Sequence, residues 1–212
     1  MTRKPRPDLA LKPALDALAA RDADIAAAYA DCGLPPVRAS RKGFPGLLSI
    51  IVAQQVSAAS ARAITARLQA ALADFTPEEF LALGEAGLRE IGFSRQKIRY
   101  GRALAEDLLS GRISLRKLAR LPDEEAIDYL SQAKGIGRWS AEVYLLFALK
   151  RPDIWPIDDL AVRVAFLRLK RLRREPRREK LVALAEPWRP YRSAAARFLW
   201  HYYRHPGLPD PA

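Results

Sequence analysis

The sequence predicts an all-α protein of roughly ten helices. Apolar residues recur at helical spacing along most of the chain, and residues that favour helix N-caps precede many of these runs. No alternating apolar and polar pattern of useful length indicates a β-strand, and no internal repeat is found.

The composition indicates a globular protein with a polyanionic partner. The chain has 212 residues, of which 50% are hydrophobic, enough for one large domain or two small lobes. Lys and Arg number 36 against 24 Asp and Glu, a net charge of +12. This excess favours nucleic acid, because cations that neutralise phosphates release counterions.

The sequence argues against cysteine-based sites and against a membrane span or signal peptide. A single cysteine, Cys32, excludes an internal disulfide, a cysteine-based zinc site and a four-cysteine iron–sulfur cluster. No apolar run could span a bilayer, and the N-terminus lacks the apolar region of a signal peptide. We expect a cytoplasmic protein, which in a bacterium includes the nucleoid.

The first elements follow a basic, proline-broken stretch at residues 1–12, predicted to be a flexible arm. A helix is predicted from Pro13 to Ala30, ended by the glycine and prolines at 33–36. A second helix carries the apolar run at 47–52. Ser57 is a suitable N-cap for a third helix that extends to about residue 73.

In the middle of the chain, N-terminal signals mark three more helices. Thr76 with Pro77 and Glu79 forms a predicted capping box. Ser94 precedes a basic helix. Pro122 is followed by three acidic residues, which complement a helix dipole, and that helix is predicted to end at residues 134–135.

Three further segments complete the predicted order. A helix begins near Arg138 and ends near residue 149. After a proline-bounded loop, Asp158 and Asp159 open a helix that extends to Leu169. A charged stretch at 170–180 precedes a last helix over about 190–205.

The joint between two of these helices has the character of a phosphate-binding hairpin. Gly135 and Gly137 flank Ile136, and glycine allows a phosphate to approach the backbone closely. The helix that begins at Arg138 offers unpaired N–H groups and a positive dipole end. Ile136 could anchor the turn in the core, while Lys134 and Arg138 add positive charge. A plain helix C-cap is the alternative interpretation.

The surroundings of this hairpin favour the first interpretation. The segment 130–149 together with 156–160 resembles the helix-hairpin-helix DNA glycosylase superfamily, and the resemblance is strongest to its 3-methyladenine DNA glycosylase II (AlkA-like) branch. The segments 51–57 and 188–200 resemble the same branch, so that the likeness covers about residues 41–204. Where the family usually has Leu-Pro before the first hairpin glycine, this chain has Ala133 and Lys134.

The resemblance implies two helical lobes that flank a cleft, with no N-terminal β-domain. The glycosylase domain would comprise residues 13–212. One lobe would extend over about 45–155, and the other would combine 13–44 with 156–212.

The resemblance also implies an essential aspartate at the start of the helix after the hairpin helix. The family pattern fits Asp159, with Asp158 as the helix cap, although a shift of one residue would select Asp158. A carboxylate at this place could stabilise oxocarbenium character at C1′ and orient or deprotonate the attacking water. A merely structural acid would compensate the helix dipole.

The expected reaction is hydrolysis without strand cleavage. Bifunctional relatives use a lysine two residues after the second hairpin glycine, where this chain has Trp139. The face of a tryptophan attracts a cationic base. Trp139 and Trp200 are therefore predicted to line the base pocket, with core packing as the alternative. The same implied pocket includes Val143, Tyr144 and Leu160.

Base extrusion requires a residue that fills the gap in the duplex. The resemblance places this plug at Gln54 or Gln55, between which the sequence does not decide, and a polar helix end is the alternative. Two basic groups could face DNA or be merely solvated: Arg95, Lys97, Arg99 and Arg102, and then Lys170, Arg171, Arg173 and Arg174.

No cofactor is expected. His201 and His205 are four residues apart on a predicted helix, but no third zinc ligand is evident. The carbonyl groups of Ser131, Ala133 and Ile136 correspond to family positions that can hold a structural monovalent cation.

Together these observations predict a monofunctional DNA glycosylase that excises alkylated purines, chiefly 3-methyladenine and secondarily 7-methylguanine, in base excision repair. The expected partner is damaged double-stranded DNA, and the protein is expected to be a monomer that does not bind membranes. The alternatives are a non-catalytic helix-hairpin-helix DNA-binding protein and a glycosylase for deaminated or etheno purines.

Overall fold

The computed structural model describes residues 6–174 and 176–205. Over these residues the regular structure is helical, with thirteen α-helices, two short 3-10 helices and one isolated β-bridge between Pro7 and Pro36. The all-α prediction is therefore confirmed. The chain divides into two compact units, the terminal unit (up to Ala39 and from Lys150) and the central unit (Ser40–Leu149). The sequence places these boundaries near residues 44 and 155 instead.

The central unit contains eight consecutive α-helices: α3 (Gly43–Ala53), α4 (Ala58–Ala71), α5 (Pro77–Ala82), α6 (Gly84–Ile91), α7 (Arg95–Leu109), α8 (Leu115–Leu118), α9 (Asp123–Ser131) and α10 (Arg138–Phe147). The predicted caps form here. Ser57 and Ser94 accept from the amides of Ser60 and Lys97, and Thr76 forms the capping box. Local sequence thus positions these helix starts, as predicted.

Helix α3 is the apolar centre of this unit. Leu47, Leu48 and Ile51 are fully buried. Phe44 contacts Phe80 edge-to-face, with ring centroids 5.5 Å apart. Helices α4, α7 and α10 pack against α3. Helix α3 is therefore packed on several sides by other helices of this unit.

In its described residues, the terminal unit has five α-helices: α1 (Lys12–Ala19), α2 (Ala23–Cys32), α11 (Leu160–Leu169), α12 (Arg178–Leu184) and α13 (Arg192–Tyr203). Short 3-10 helices occur at Leu9–Leu11 and Glu186–Trp188. Its core contains Trp155, Phe166 and Trp188, whose rings lie edge-to-face with centroids 5.2 to 5.8 Å apart. This aromatic core supports α11, the helix predicted to begin at the acidic pair.

Two predictions for this unit are wrong. The single helix over 13–30 is divided in two, because Asp22 leaves the helical conformation and caps α2 through the amides of Asp24 and Ile25. The flexible arm predicted over 1–12 is tied down from Arg6 onward. The Arg6 carbonyl accepts from Val37, the Asp8 amide donates to Pro35, and Leu11 is buried. Residues 1–5 of this arm lie outside the described residues.

Candidate DNA interface and active site

The hairpin between α9 and α10 is a tight turn anchored in the central unit. The amide of Ile136 donates to the carbonyl of Ala133 at 3.0 Å, and Gly135 has φ +86°. Ile136 is only 2% exposed, which confirms its predicted anchoring role. The turn therefore presents its backbone outward while one aliphatic side chain holds it in the core.

The two hairpin glycines differ in backbone conformation and in the space available for a side chain. A Cβ on Gly135 would lie 2.4 Å from Cγ of Tyr100, and its φ already disfavours other residues. Gly137 has φ −89°, which any residue adopts, and a Cβ there would meet no atom within 4 Å. The fold thus requires Gly135, whereas Gly137 leaves open space above the N-terminus of α10, a helix without a side-chain cap. Such a helix end favours an anion.

The two cations of the hairpin have different surroundings. Lys134 is exposed. The Arg138 guanidinium contacts Glu124 at 2.7 Å and the buried Glu142 at 2.9 Å. Desolvation alone would lower the pKa of Arg138, but the Glu124 hydrogen bond and the Glu142 charge raise it. Arg138 therefore stabilises the start of α10 rather than contributing a free charge at the hairpin, a correction to its predicted role.

Tyr100 supports the hairpin and was not found from the sequence. Its ring lies against Gly135, and its hydroxyl accepts from Nε2 of Gln96 at 2.9 Å. The guanidinium of Arg99 lies 5.4 Å from the ring centroid. The Gln96 and Arg99 hydrogen bonds, and the nearby charges of Arg99 and Lys134, lower the pKa of Tyr100. No local pattern marks such a residue, because its contact is made 35 residues along the chain.

The two candidate plug residues lie at the end of α3 in different states. Gln54 is half-buried, and its Nε2 donates to the Gly135 carbonyl at 2.9 Å and to Oγ of Ser140 at 3.3 Å. Gln55 is exposed and has φ +55°, which is uncommon for a non-glycine residue. Val56 beside it is also exposed. The structure therefore joins Gln54 to the hairpin and presents Gln55 to solvent.

The basic residues predicted on α7 are not equivalent. Arg95 and Arg99 are exposed, and Arg102 lies 4.0 Å from Glu106. Lys97 is buried, and its Nζ donates to the carbonyl of Val52 at 2.6 Å. Desolvation lowers the pKa of Lys97. The prediction of a DNA-facing Lys97 is wrong, because its ammonium binds the C-terminal end of α3.

The second basic group also contains a residue with a structural role. Nζ of Lys170 lies 2.7 Å from Oδ1 of Asp22 and 3.0 Å from Oδ2 of Asp24. Arg171 lies 3.9 Å from Asp24. The prediction of a DNA-facing Lys170 is therefore wrong, since its ammonium links α2 to the end of α11. Arg173 and Arg174 are exposed.

The aspartate pair lies at the start of α11, as predicted, but Asp159 rather than Asp158 caps the helix. Asp159, half-buried, is the N-cap, and its Oδ1 accepts from the Val162 amide at 3.0 Å. Asp158 is exposed, and its carboxylate binds Arg178 at 3.1 Å. The prediction that Asp158 is the cap is wrong. One residue, Asp159, both caps the helix and occupies the position predicted for the reactive carboxylate.

A second donor fixes the same oxygen of Asp159. Nε1 of Trp200, on α13, donates to Oδ1 at 2.9 Å. The charge of Arg38 interacts with the carboxylate of Asp159 and with the charges of Arg197 and Arg204. Desolvation and the charges of Arg204 and Arg197 lower the pKa of Arg38, while Asp159 raises it. The sequence had not indicated Arg38, which precedes Asp159 by more than a hundred residues.

The other residues predicted for the base pocket lie on α10 and at the start of α11. Trp139 is 39% exposed, Leu160 is 66% exposed, and Val143 is buried. Trp139 and Val143 share a helix face, but Tyr144 is turned away from Trp139 by about 140°. Tyr144 is buried, and its hydroxyl accepts from the Gly43 amide at 2.9 Å. Tyr144 is thus a core residue, which corrects its assignment; the pocket roles of Trp139, Val143 and Leu160 stay predictions.

The described residues contain no group of three His, Cys, Asp or Glu side chains suited to a metal ion. Nε2 of His201 lies 2.9 Å from the carbonyl of Cys32. Within residues 6–174 and 176–205, no helix is long and apolar enough to cross a membrane.

Comparison with known proteins identifies the family. Residues 48–190 match the model of the HhH-GPD superfamily base excision DNA repair proteins. The chain is 37% identical over 164 residues to DNA-3-methyladenine glycosylase 1 of Schizosaccharomyces pombe, an alignment that covers 76% of this chain and 72% of that protein. It is 31% identical over 162 residues to the alkylbase DNA glycosidase-like protein mag2 of the same organism, covering 74% and 76% of the two chains.

Solved structures agree with this result. The S. pombe 3-methyladenine DNA glycosylase Mag1 in complex with abasic DNA matches with a TM-score of 0.78 and 33% identity, covering 89% of this chain and 95% of that one. The DNA-3-methyladenine glycosidase of Bacillus halodurans matches with a TM-score of 0.77 and 28% identity, covering 91% and 89%. This chain therefore belongs to the HhH-GPD superfamily of base excision DNA repair proteins, in its AlkA-like branch of 3-methyladenine DNA glycosylases.

Proposed function

We propose that this protein is a monofunctional DNA glycosylase that hydrolyses the N-glycosidic bond of alkylated purines in duplex DNA and leaves an abasic site. The observation that carries this function is the carboxylate of Asp159, held on one oxygen by the Val162 amide and the Trp200 indole. Family membership and the relatives' names support the reaction class.

The proposed chemistry needs an anion of fixed orientation beside the sugar. As the base leaves, positive charge develops at C1′, and a preorganised carboxylate stabilises it. Two donors bind Oδ1 of Asp159 and fix the orientation of its carboxylate, and we assign the negative charge of this carboxylate to the sugar and the attacking water. An alkylated purine is already cationic, so it departs without a strong general acid.

Hydrolysis rather than lyase chemistry follows from Trp139. Schiff-base chemistry requires a lysine amine as nucleophile. Trp139 stands where the lyase relatives have this lysine, and an exposed indole face suits a cationic base. At the other two predicted pocket positions, Val143 and Leu160 are aliphatic rather than aromatic residues, which we expect to affect the lesion range. We propose 3-methyladenine as the chief substrate and 7-methylguanine as the second.

The hairpin is assigned to a DNA phosphate. The open space above Gly137 and the uncapped N-terminus of α10 suit a phosphate oxygen, and Lys134 adds charge. Gly137→Ser tests this assignment. Serine is a good N-cap, so stability should hold or rise. Its side chain would occupy the phosphate space, so that duplex affinity in a fluorescence-anisotropy titration should fall about tenfold. Unchanged affinity would contradict the phosphate assignment.

Between the two plug candidates, we assign Gln55. Its side chain is exposed at the tip between α3 and α4, whereas the amide of Gln54 is hydrogen-bonded to the hairpin. An amide inserted into the duplex can hydrogen-bond the base left without its partner. We also retain, as proposals, a monomeric state and a structural monovalent cation at the carbonyls of Ser131, Ala133 and Ile136.

The decisive experiment measures base release from alkylated DNA. Asp159→Asn keeps a side chain that can cap α11, so the protein should fold, but its single-turnover rate should fall about 100- to 1000-fold. Asp158→Asn, the matched control, should stay within about twofold of wild type. Full activity of Asp159→Asn would overturn the assignment.

Two further readouts define the reaction. Wild type should release base without breaking the strand, and strand scission without added alkali or abasic endonuclease would overturn the monofunctional assignment. Duplexes that each carry one lesion should rank 3-methyladenine above deaminated or etheno purines. The opposite ranking would change the substrate, and equal binding of all duplexes without base release would indicate a non-catalytic DNA-binding protein.

A further inference from the structure

The end of α3 and the hairpin are joined by one side chain. Gln54 leaves the helix in an extended conformation and directs its amide to the Gly135 carbonyl, 81 residues along the chain. The same nitrogen lies 3.3 Å from Oγ of Ser140, in the first turn of α10. Gln54 thus contacts both the turn that precedes α10 and α10 itself.

Helix α7 connects the same two places independently. The buried Lys97 donates to the Val52 carbonyl at the end of α3. One turn later on α7, the ring of Tyr100 lies against Gly135. The end of α3, the hairpin and α7 therefore form a closed set of contacts, in which Gln54 supplies the direct bond between the first two.

We propose that Gln54 is a positioning residue that fixes the register between the phosphate-binding hairpin and the plug residue Gln55. This role rests on the proposed function. Gln55 directly follows Gln54, and Gly137 lies two residues after the carbonyl to which Gln54 donates. The distance between Gly137 and Gln55 would then be set before DNA binds. A phosphate held at Gly137 would therefore determine which base step meets Gln55. Such preorganisation avoids ordering both segments during binding.

The test is a double-mutant cycle on the full-length protein. Gln54→Met keeps the side-chain length but removes the amide, and Gln55→Ala removes the plug. The measured quantity is affinity for a duplex that contains a tetrahydrofuran abasic-site analogue, compared with the intact duplex. Each single variant should lower the preference for the abasic duplex by about tenfold. The double variant should be no worse than Gln55→Ala alone, because Gln54 acts through Gln55.

Additive losses would overturn this role, since they would mean that Gln54 contacts DNA by itself. Gln132→Met is the matched control: Gln132 is exposed, lies beside the hairpin, and should leave both affinities unchanged. If Gln54→Met does not fold, Gln54→Asn replaces it, because the amide then falls one methylene short of the Gly135 carbonyl.

A measurement without DNA separates this role from the glycosylase assignment. In Gln54→Met, the hydrogen-bonded amide of Ile136 should exchange hydrogen about tenfold faster than in wild type, while Gln55→Ala leaves its exchange unchanged. Unchanged exchange in Gln54→Met would overturn the bridge even if base release is observed. Faster exchange in a protein whose wild type releases no base would instead retain the bridge and reject the proposed function.

Discussion

Asp22 and Asp159 are two aspartates of the terminal unit with the same local design and different surroundings. Each caps a helix, and each accepts a hydrogen bond from an indole N–H: Trp188 to Asp22 at 2.7 Å and Trp200 to Asp159 at 2.9 Å. The ammonium of Lys170 additionally binds both oxygens of Asp22.

The two carboxylates differ in the groups around them, and only Asp159 stands at the position proposed for the reactive carboxylate. The Asp22 side chain is 11% exposed and is neutralised by Lys170, so that it links helices. Oδ1 of Asp159 is held by two neutral donors, an amide and an indole. An N-cap aspartate with a tryptophan partner is therefore insufficient to define an active site, because both carboxylates have this arrangement.

Replacing each carboxylate by an amide should give the largest effects, on base release for Asp159 and on the free energy of unfolding for Asp22. Asp159→Asn should reduce base release about 100- to 1000-fold with little change in the free energy of unfolding. Asp22→Asn should cost about 2 kcal/mol in that free energy, because it weakens a partly buried ion pair of Lys170. Base release per folded molecule should persist in Asp22→Asn. Urea unfolding and single-turnover kinetics would measure both, and loss of activity in folded Asp22→Asn would break the distinction.

Replacing each indole by phenylalanine should give intermediate effects. Trp200→Phe keeps a ring but removes the N–H that orients Asp159, so kcat should fall about tenfold with little change in KM. Trp188→Phe should instead lower the thermal midpoint, because Trp188 is fully buried among aromatic rings and also binds Asp22. If Trp200→Phe raised KM alone, Trp200 would bind substrate rather than position the carboxylate.

The smallest expected effect is an acid dependence of stability that belongs to Asp22. Burial alone would raise the pKa of Asp22, but hydrogen bonds from Lys170 and Trp188 lower it below the ordinary 3.8. The unfolded chain thus binds this proton more readily, and the stabilisation is complete above pH 3.8 and lost as the pH falls through the lowered pKa. Asp22→Asn should therefore lose less stability than wild type between pH 5 and 2, as urea midpoints would measure. Equal losses would assign the acid sensitivity to other carboxylates.

The caps illustrate what can be predicted locally. Ser57, Thr76 and Ser94 cap their helices as expected, because each bond joins a side chain to an amide three residues away. The helix break at Asp22, which the sequence does not predict, has a tertiary cause. Lys170 and Trp188 hold its carboxylate at a break between α1 and α2 that the apolar periodicity of 13–30 does not reveal.

The charged residues illustrate the opposite case. From the sequence, Lys97 and Lys170 could face DNA or be merely solvated because each lies in a basic segment, and Arg138 is expected to add positive charge at the hairpin. In the structure they bind the Val52 carbonyl, Glu124 with Glu142, and Asp22 with Asp24. A run of charge in a sequence does not distinguish a solvated cation from one that packing brings to an acceptor.

The sequence by itself determined the helical class, most helix starts, the glycine hairpin and the position of Asp159, because these depend on contacts within a few residues and on motif order. Only the tertiary structure decided that Trp200 orients Asp159, that Tyr100 requires a glycine at 135, and that Gln54 binds the hairpin. These contacts join groups 35 to 81 residues apart. Their geometry is set by how the helices pack, which no local pattern encodes.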